Sequence, residues 1–110
     1  MGPVINPEGA TMQIEGGITM GLGYCLDEMI HFKGGEIRNL SFSDYEIPRF
    51  SWTPRIEAVL VNNPDVAPSG CGEPPIVGMG GVIANALFDA TGVRHNRLPL
   101  LLKRNDGAKT

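Results

Sequence analysis

The segment Gly70-Cys71-Gly72-Glu73-Pro74-Pro75 contains the side chain best suited to chemistry, the carboxylate of Glu73. The glycines before it permit close approach of the backbone to a ligand or a neighbouring element, and the prolines after it restrict the chain. A carboxylate fixed in this way can act as a general base, which must lie near the proton that it accepts. The alternative is that Glu73 only caps the helix predicted to begin near Val77.

The other residue types that often carry chemistry are scattered along the chain. Cys25 and Cys71 form no Cys-x-x-Cys unit and have no histidine at ligand spacing, so free thiols are favoured over a disulfide or a metal site. His31 and His95 have no Ser, Cys or carboxylate partner at a motif spacing, and we interpret them as structural histidines. Glu73 is therefore the leading catalytic candidate.

The composition is typical of a globular domain. Apolar residues make up 42% and charged residues 19% of the 110 residues, which is enough apolar content for one core. The net charge of -3 comes without a cluster of Lys or Arg, so nucleic-acid binding is not predicted. The sequence shows no apolar run of membrane-spanning length and no signal peptide, so we expect a soluble chain. We expect a cytoplasmic location, or a periplasmic one if the complete protein carries an export signal.

Glycine is unusually frequent in this chain. It occupies 15 of the 110 positions, whereas average usage would give about seven or eight. Several of these glycines lie inside apolar periodic segments rather than in linkers, for example Gly16 and Gly17. Glycine at such positions allows the backbone to approach a neighbouring element or a ligand closely.

The first half of the chain predicts a helix followed by a hairpin. Asn6-Pro7 is typical of a helix start, and apolar residues at three- and four-residue steps predict a helix over roughly 12–29. Alternation over residues 30–42, with Gly34-Gly35 between the two halves, predicts a β-hairpin. The apolar stripe of the helix consists of Ile14, Ile18, Leu22, Cys25 and Met29.

The second half predicts extended segments, a loop and another helix. The aromatic residues Tyr45, Phe50 and Trp52 lie in a stretch interrupted by proline, which we expect to be extended and to contribute to the core rather than to a substrate funnel. Residues 55–61 alternate cleanly and give the strongest strand prediction. After a long loop over 62–75, three- and four-residue spacing predicts a helix that Gly92 ends.

The fold class that follows is α+β, with two amphipathic helices packed on a small, mainly antiparallel sheet. Residues 98–102 are predicted to add a short final strand, and residues 103–110 to form a flexible tail. Residues 1–102 are then one folded unit.

Several of these segments, taken in order, resemble one family. Gly72-Glu73-Pro74-Pro75, followed by a glycine-rich helix with Ala84-Asn85-Ala86, resembles the motif of the large subunits of molybdenum hydroxylases, the xanthine dehydrogenase and aldehyde oxidase family. The closing Arg97-Leu98-Pro99-Leu100 is similar to the end of bacterial isoquinoline 1-oxidoreductase and nicotinate dehydrogenase large subunits. Further segments are similar to this family; they are Asn6-Pro7, Gln13-Ile14-Glu15-Gly16-Gly17, Gly21-Leu22-Gly23-Tyr24 and Asp44-Tyr45-Glu46-Ile47-Pro48.

The resemblance implies an activity and a set of site residues. Glu73 would be the general base of a hydroxylation that takes its oxygen from water and acts on an N-heterocycle or an aldehyde. Gln13 would form an amide hydrogen bond with the cofactor, and Gly16, Gly17 and Gly72 would let the cofactor come close. The cofactor would be molybdenum-molybdopterin in its cytosine dinucleotide form.

The resemblance also implies partners, because large subunits of this family are several times longer than this chain. The chain is identified as the C-terminal portion of the molybdopterin-binding domain. It would require the remainder of the large subunit and a small [2Fe-2S] subunit, and alone we expect it to be inactive and to self-associate. One alternative is a non-catalytic orphan domain that acts as a structural or binding module. A metal-independent hydrolase is less favoured, because no nucleophile or second carboxylate accompanies Glu73.

Overall fold

The computed structural model describes residues 1–100. Its first element is the helix α1 (Pro7–Leu26), whereas the apolar spacing alone predicted a helix over roughly 12–29. Asn6 caps the helix, because its side-chain oxygen accepts a hydrogen bond from the Gly9 backbone N–H at 2.9 Å. The predicted start at Asn6-Pro7 is therefore confirmed, whereas Met29 lies beyond the end of the helix.

A short β-hairpin follows α1. Strand β1 (Phe32–Lys33) pairs antiparallel with strand β2 (Glu36–Ile37), in a register that places Phe32 opposite Ile37. The turn residues Gly34-Gly35 have φ angles of 63° and 82°, a left-handed conformation that glycine adopts without the steric cost of a Cβ atom. The predicted hairpin is confirmed, although each paired strand is much shorter than the alternating pattern suggested.

Two consecutive helices occupy the region after the long loop. The helix α2 (Pro74–Val77) is a single turn that begins directly after Glu73, and α3 (Met79–Thr91) follows it. Proline is tolerated in a first turn because the N–H groups there have no partner within the helix. Gly92 ends α3 with a φ of 71°, so the second helix and its glycine cap are confirmed.

The helices pack against each other and the hairpin is exposed. Helix α1 contacts both α2 and α3, while neither strand of the hairpin contacts a helix of the described chain. The α+β class with a small antiparallel sheet is confirmed. The predicted packing of the helices on that sheet is not seen among the described residues, because the two-residue strands offer no face that a helix could cover. Within residues 1–100, no helix is long and apolar enough to cross a membrane.

The core lies between α1 and α3 and is small. Leu22, Cys25 and Met79 form its buried centre, and Ile18 and Ile83 pack against them. Leu22, Cys25 and Ile18 belong to the predicted apolar stripe of α1, which is thus confirmed as the packing face. Over the described residues, the buried apolar side chains are Ala10, Leu22, Cys25, Met79 and Leu100.

Residues 55–61 do not form the strand that their pattern predicts. Burial does alternate, since residues 56, 58 and 60 are partly buried and residues 57, 59 and 61 are exposed. However, no backbone hydrogen bond joins this segment to any other described segment. The pattern predicted the two faces correctly, but a strand also needs a neighbour, and residues 1–100 supply none.

Two further predictions differ from the structure. Phe50–Trp52 forms a 3-10 turn instead of an extended segment, and Phe50 is 98% exposed, so it does not contribute to the core. Residues 98–100 are not in the sheet; the Leu100 N–H donates a hydrogen bond to the Cys25 carbonyl at 2.6 Å. The rest of the predicted final strand and the predicted tail fall on residues 101–110, outside the described residues.

Candidate functional site

Glu73 lies at the junction between the long loop and α2. Its carbonyl oxygen accepts hydrogen bonds from the N–H groups of Ile76 at 3.0 Å and Val77 at 3.3 Å, so its backbone starts the helix. Its side chain is exposed and makes no capping hydrogen bond. None of the ion pairs among residues 1–100 involves Glu73. Glu73 thus holds the N-cap position of α2 through its backbone, while its carboxylate does not cap the helix.

Gln13 of α1 lies next to the segment that carries Glu73. If Gly72 carried a methyl group, that group would lie 3.7 Å from the Oε1 atom of Gln13. The side chain of Gln13 therefore reaches the backbone at Gly72. Gln13 is exposed, and its amide forms no hydrogen bond with another described residue. The fold thus brings together Gln13 and Gly72, two predicted site residues that are distant in sequence, and the Gln13 amide has no hydrogen-bond partner among the described residues.

The glycines of α1 differ in what they face. A methyl group on Gly17 would lie 2.9 Å from Cβ of Pro75, and one on Gly21 would lie 2.7 Å from Cβ of Met79. Both distances are shorter than side chains tolerate, so these glycines let α2 and α3 approach α1 closely. Gly16 instead faces open space. Of the two glycines of α1 that are predicted to approach a cofactor, Gly16 is accessible and Gly17 is covered by α2.

Tyr24 links α1 to α2 through a hydrogen bond that sequence reasoning missed. Its hydroxyl donates to the carbonyl oxygen of Ile76 at 2.6 Å in a partly buried position. Burial raises the pKa of the Tyr24 phenol above its ordinary value, and the nearby Cys25 raises it further. The hydroxyl therefore stays protonated at neutral pH and remains a donor. Residue spacing along α1 gave no signal for this bond, because its acceptor lies on another helix.

An apolar cavity of about 370 Å³ borders the Glu73 segment. Its size is within the range of small ligand pockets, which begin at about 300 Å³. Its walls include residues on both sides of Glu73 and two from α1; these are Gly70, Cys71, Pro74, Pro75, Ile14 and Ile18. The segment that carries the carboxylate therefore lies between solvent and an apolar space.

The cysteines are free thiols, as predicted. Cys25 is buried, which raises the pKa of its thiol, and Cys71 is partly buried. Across residues 1–100, no group of three or more His, Cys, Asp or Glu side chains could hold a metal ion. A metal at this site would need ligands other than these side chains.

Comparison with known protein families indicates the class of protein to which this chain is similar. Residues 1–54 match the family described as the molybdopterin cofactor-binding domain. This range contains α1, with Gln13 and the accessible Gly16. The match therefore covers one of the two parts that meet at the candidate site, while Glu73 lies outside it.

Individual bacterial relatives are similar to nearly the whole chain. A putative xanthine dehydrogenase molybdenum-binding subunit of Escherichia coli is 40% identical over 94% of this chain and 14% of its own length. A nicotinate dehydrogenase subunit of Pseudomonas putida is 33% identical over 94% of this chain and 9% of its own length. The beta subunit of isoquinoline 1-oxidoreductase of Brevundimonas diminuta is 34% identical over 91% of this chain and 13% of its own length.

These similarities confirm the resemblance seen in the motifs. The chain belongs to the molybdenum-binding subunits of the xanthine dehydrogenase and aldehyde oxidase family, and it corresponds to a segment of them. It spans between 9% and 14% of the length of the three relatives. Most of each relative therefore has no counterpart in this chain.

Proposed function

We propose that this chain supplies the catalytic base of a molybdenum hydroxylase, and that the base is Glu73. The observation that carries the proposal is the approach of Gln13 to Gly72, the residue before Glu73. It supports the proposal because two residues assigned by resemblance to cofactor binding meet in space, and one of them directly precedes Glu73 in the chain. Glu73 is exposed, and none of the ion pairs among the described residues involves it, so its carboxylate is accessible.

The residues at this site fit a cofactor that brings its own metal ligands. The free amide of Gln13 can donate and accept hydrogen bonds, and Gly16 leaves the backbone of α1 open on one side. The described side chains form no metal-binding cluster, which agrees with a metal held mainly by its organic ligand. Gln13 would hold the molybdenum-molybdopterin group, and Gly16 and Gly72 would allow its close approach. When bound, the group supplies a two-electron redox centre.

Glu73 would accept a proton from the water-derived oxygen that attacks the substrate. In the net reaction, a C–H bond and water become C–OH, two protons and two electrons. The attacked carbon must be electron-poor, such as a carbon beside nitrogen in a heterocycle or the carbonyl carbon of an aldehyde. Relatives named for nicotinate, isoquinoline and aldehyde substrates support these two classes.

We further propose the cytosine dinucleotide form of molybdopterin as the cofactor and a small [2Fe-2S] subunit as the electron acceptor. The similarity to bacterial isoquinoline and nicotinate enzymes supports the first assignment. The cysteine content supports the second, because the two cysteines of this chain cannot supply the four thiolates that such a cluster needs.

The proposal is tested by replacing Gln13 with leucine in the complete enzyme. Leucine is similar in size but cannot form a hydrogen bond, so we expect weaker cofactor retention, by about tenfold for one lost hydrogen bond. Molybdenum and pterin content per purified large subunit is the measurement. Met12→Leu, at the neighbouring exposed position of α1, is the matched control and should retain full content. Equal molybdenum content in both variants would remove Gln13 from the cofactor site.

Several features support the proposal that another polypeptide covers this chain. Large apolar side chains are exposed, including Leu40 at 83% and Val59 at 84%. Residues 55–61 have a strand-like burial pattern but no neighbouring strand among the described residues. We assign the covering polypeptide to the remainder of the large subunit, because the chain spans 14% of its Escherichia coli relative.

The isolated chain should self-associate, because it exposes these apolar surfaces to water. Light scattering over a wide concentration range should show a mass that rises with concentration. Val59→Lys adds a charge to an exposed position of the unpaired segment and should reduce the association without unfolding the chain. A wild-type chain that stays monomeric throughout the range would contradict the expectation.

A further inference from the structure

The position of Glu73 depends on how α2 is held against α1. Helix α2 is a single turn, and Glu73 directly precedes it. A helix of one turn has little stability of its own, so its place is set by tertiary contacts. A residue of α1 that contacts α2 can therefore determine the position of the Glu73 carboxylate.

Three residues on one face of α1 contact the α2 region. Gly17 does so by close apolar contact with Pro75 of α2, and Gly21 by contact with Ile76 of α2 and with Met79 of α3. Such contacts hold two helices together but are not directional, so they tolerate small shifts and rotations. Tyr24, one turn further along the same face, makes the polar contact.

The Tyr24 hydrogen bond connects to Glu73 through one residue. The Tyr24 hydroxyl donates to the Ile76 carbonyl at 2.6 Å, and the Ile76 N–H donates to the Glu73 carbonyl at 3.0 Å. Both distances lie within the normal ranges for O–H···O and N–H···O hydrogen bonds. A directional link therefore runs from the side chain of α1 to the backbone that carries the carboxylate.

We infer that Tyr24 is a positioning residue for Glu73 in the hydroxylation proposed above, on which this inference rests. Without the hydroxyl, the glycine contacts still hold α2 on α1, but its orientation is no longer fixed. Misplacement of a reacting group by about 1 Å can slow a reaction by about a hundredfold. Tyr24 itself need not touch the substrate, so its loss should lower kcat and leave KM unchanged.

The test is Tyr24→Phe in the complete enzyme, with rates expressed per bound molybdenum. Tyr45→Phe is the matched control, because the Tyr45 hydroxyl also donates a partly buried hydrogen bond, to Glu28 at 2.8 Å. The hydrogen bond to the Glu28 carboxylate raises the pKa of Tyr45, so both hydroxyls are protonated at neutral pH. We expect kcat to fall by about ten- to a hundredfold in Tyr24→Phe, and to stay near wild type in Tyr45→Phe. Rates are measured at a temperature where circular dichroism shows both variants folded.

Two outcomes would overturn the inference. Equal kcat per molybdenum in the two variants would do so, as would a Tyr24→Phe defect confined to thermal stability or cofactor loading, because a purely structural residue would give that result. Glu73→Gln is assayed in parallel. If Glu73→Gln keeps its turnover, the proposed function itself fails. If Glu73→Gln is inactive while Tyr24→Phe matches its control, only the positioning of Glu73 by Tyr24 is wrong.

Discussion

Replacing Glu73 with glutamine should abolish turnover of the complete enzyme while leaving its fold intact. Glutamine is nearly the same size as glutamate, but its amide cannot accept the proton. A positioned general base contributes about 10²- to 10⁴-fold to a rate, so kcat should fall by at least about a hundredfold. Stability should hardly change, because the carboxylate is exposed and makes no hydrogen bond or ion pair with a described residue. Steady-state kinetics and thermal unfolding of the same preparation would measure both effects.

Glu36→Gln is the matched control for this substitution. Glu36 is exposed in the hairpin and forms a surface ion pair with Arg38 at 3.2 Å. Such pairs contribute little to stability, and the hairpin does not contact the helices that carry the candidate site. The control should therefore keep its kcat. A Glu73→Gln enzyme that stays within about tenfold of wild type would remove Glu73 from the mechanism.

Gly21→Ala should destabilise the fold, even though alanine favours helices more than glycine does. The added methyl group would lie 2.7 Å from Cβ of Met79, which is buried in the core between α1 and α3. Overpacking of this kind costs about 1–3 kcal/mol. The gain in helix propensity is only up to about 1 kcal/mol, so the net effect is unfavourable. Urea unfolding of the chain, followed by helical circular dichroism at one low protein concentration, would measure it.

Gly16→Ala is the same substitution in the same helix, but it should stabilise the fold. Apart from its own stretch of helix backbone and its chain neighbours, nothing lies within 4 Å of the position that the new methyl group would take. Only the helix propensity then changes, and the free energy of unfolding should rise by up to about 1 kcal/mol. If the free energy of unfolding changed in the same direction in both variants, the close packing of α1 at Gly21 would not explain the effect of Gly21→Ala.

The local features of the helices were predictable because they depend on nearby residues. The side chain of Asn6 bonds to the Gly9 N–H within a single turn, and Pro7 already has the backbone angle that a helix start requires. Gly92 ends α3 because only glycine readily adopts its φ of 71°. The turn at Gly34-Gly35 follows the same reasoning. None of these features needs a distant partner.

Predictions failed where an element depends on a neighbour. Residues 55–61 have the burial pattern of a strand, but a strand forms only when its backbone groups pair with another strand. Phe50 was expected in the core, yet it is 98% exposed, because the small core between α1 and α3 does not reach it. Apolar character predicts that a side chain avoids water, but it does not say which surface covers it.

The sequence by itself determined the start of α1, the glycine end of α3, the turn, the family and the residue most suited to act as a base, since these follow from residue types at short spacing. Only the tertiary structure decided that Gln13 lies beside Gly72 and that Gly17 faces α2 whereas Gly16 is open. It also decided that Tyr24 bonds to the turn after Glu73. The physical reason is that these contacts join α1 to a segment far away in sequence. Which faces of the two helices meet is set by the packing of both at once.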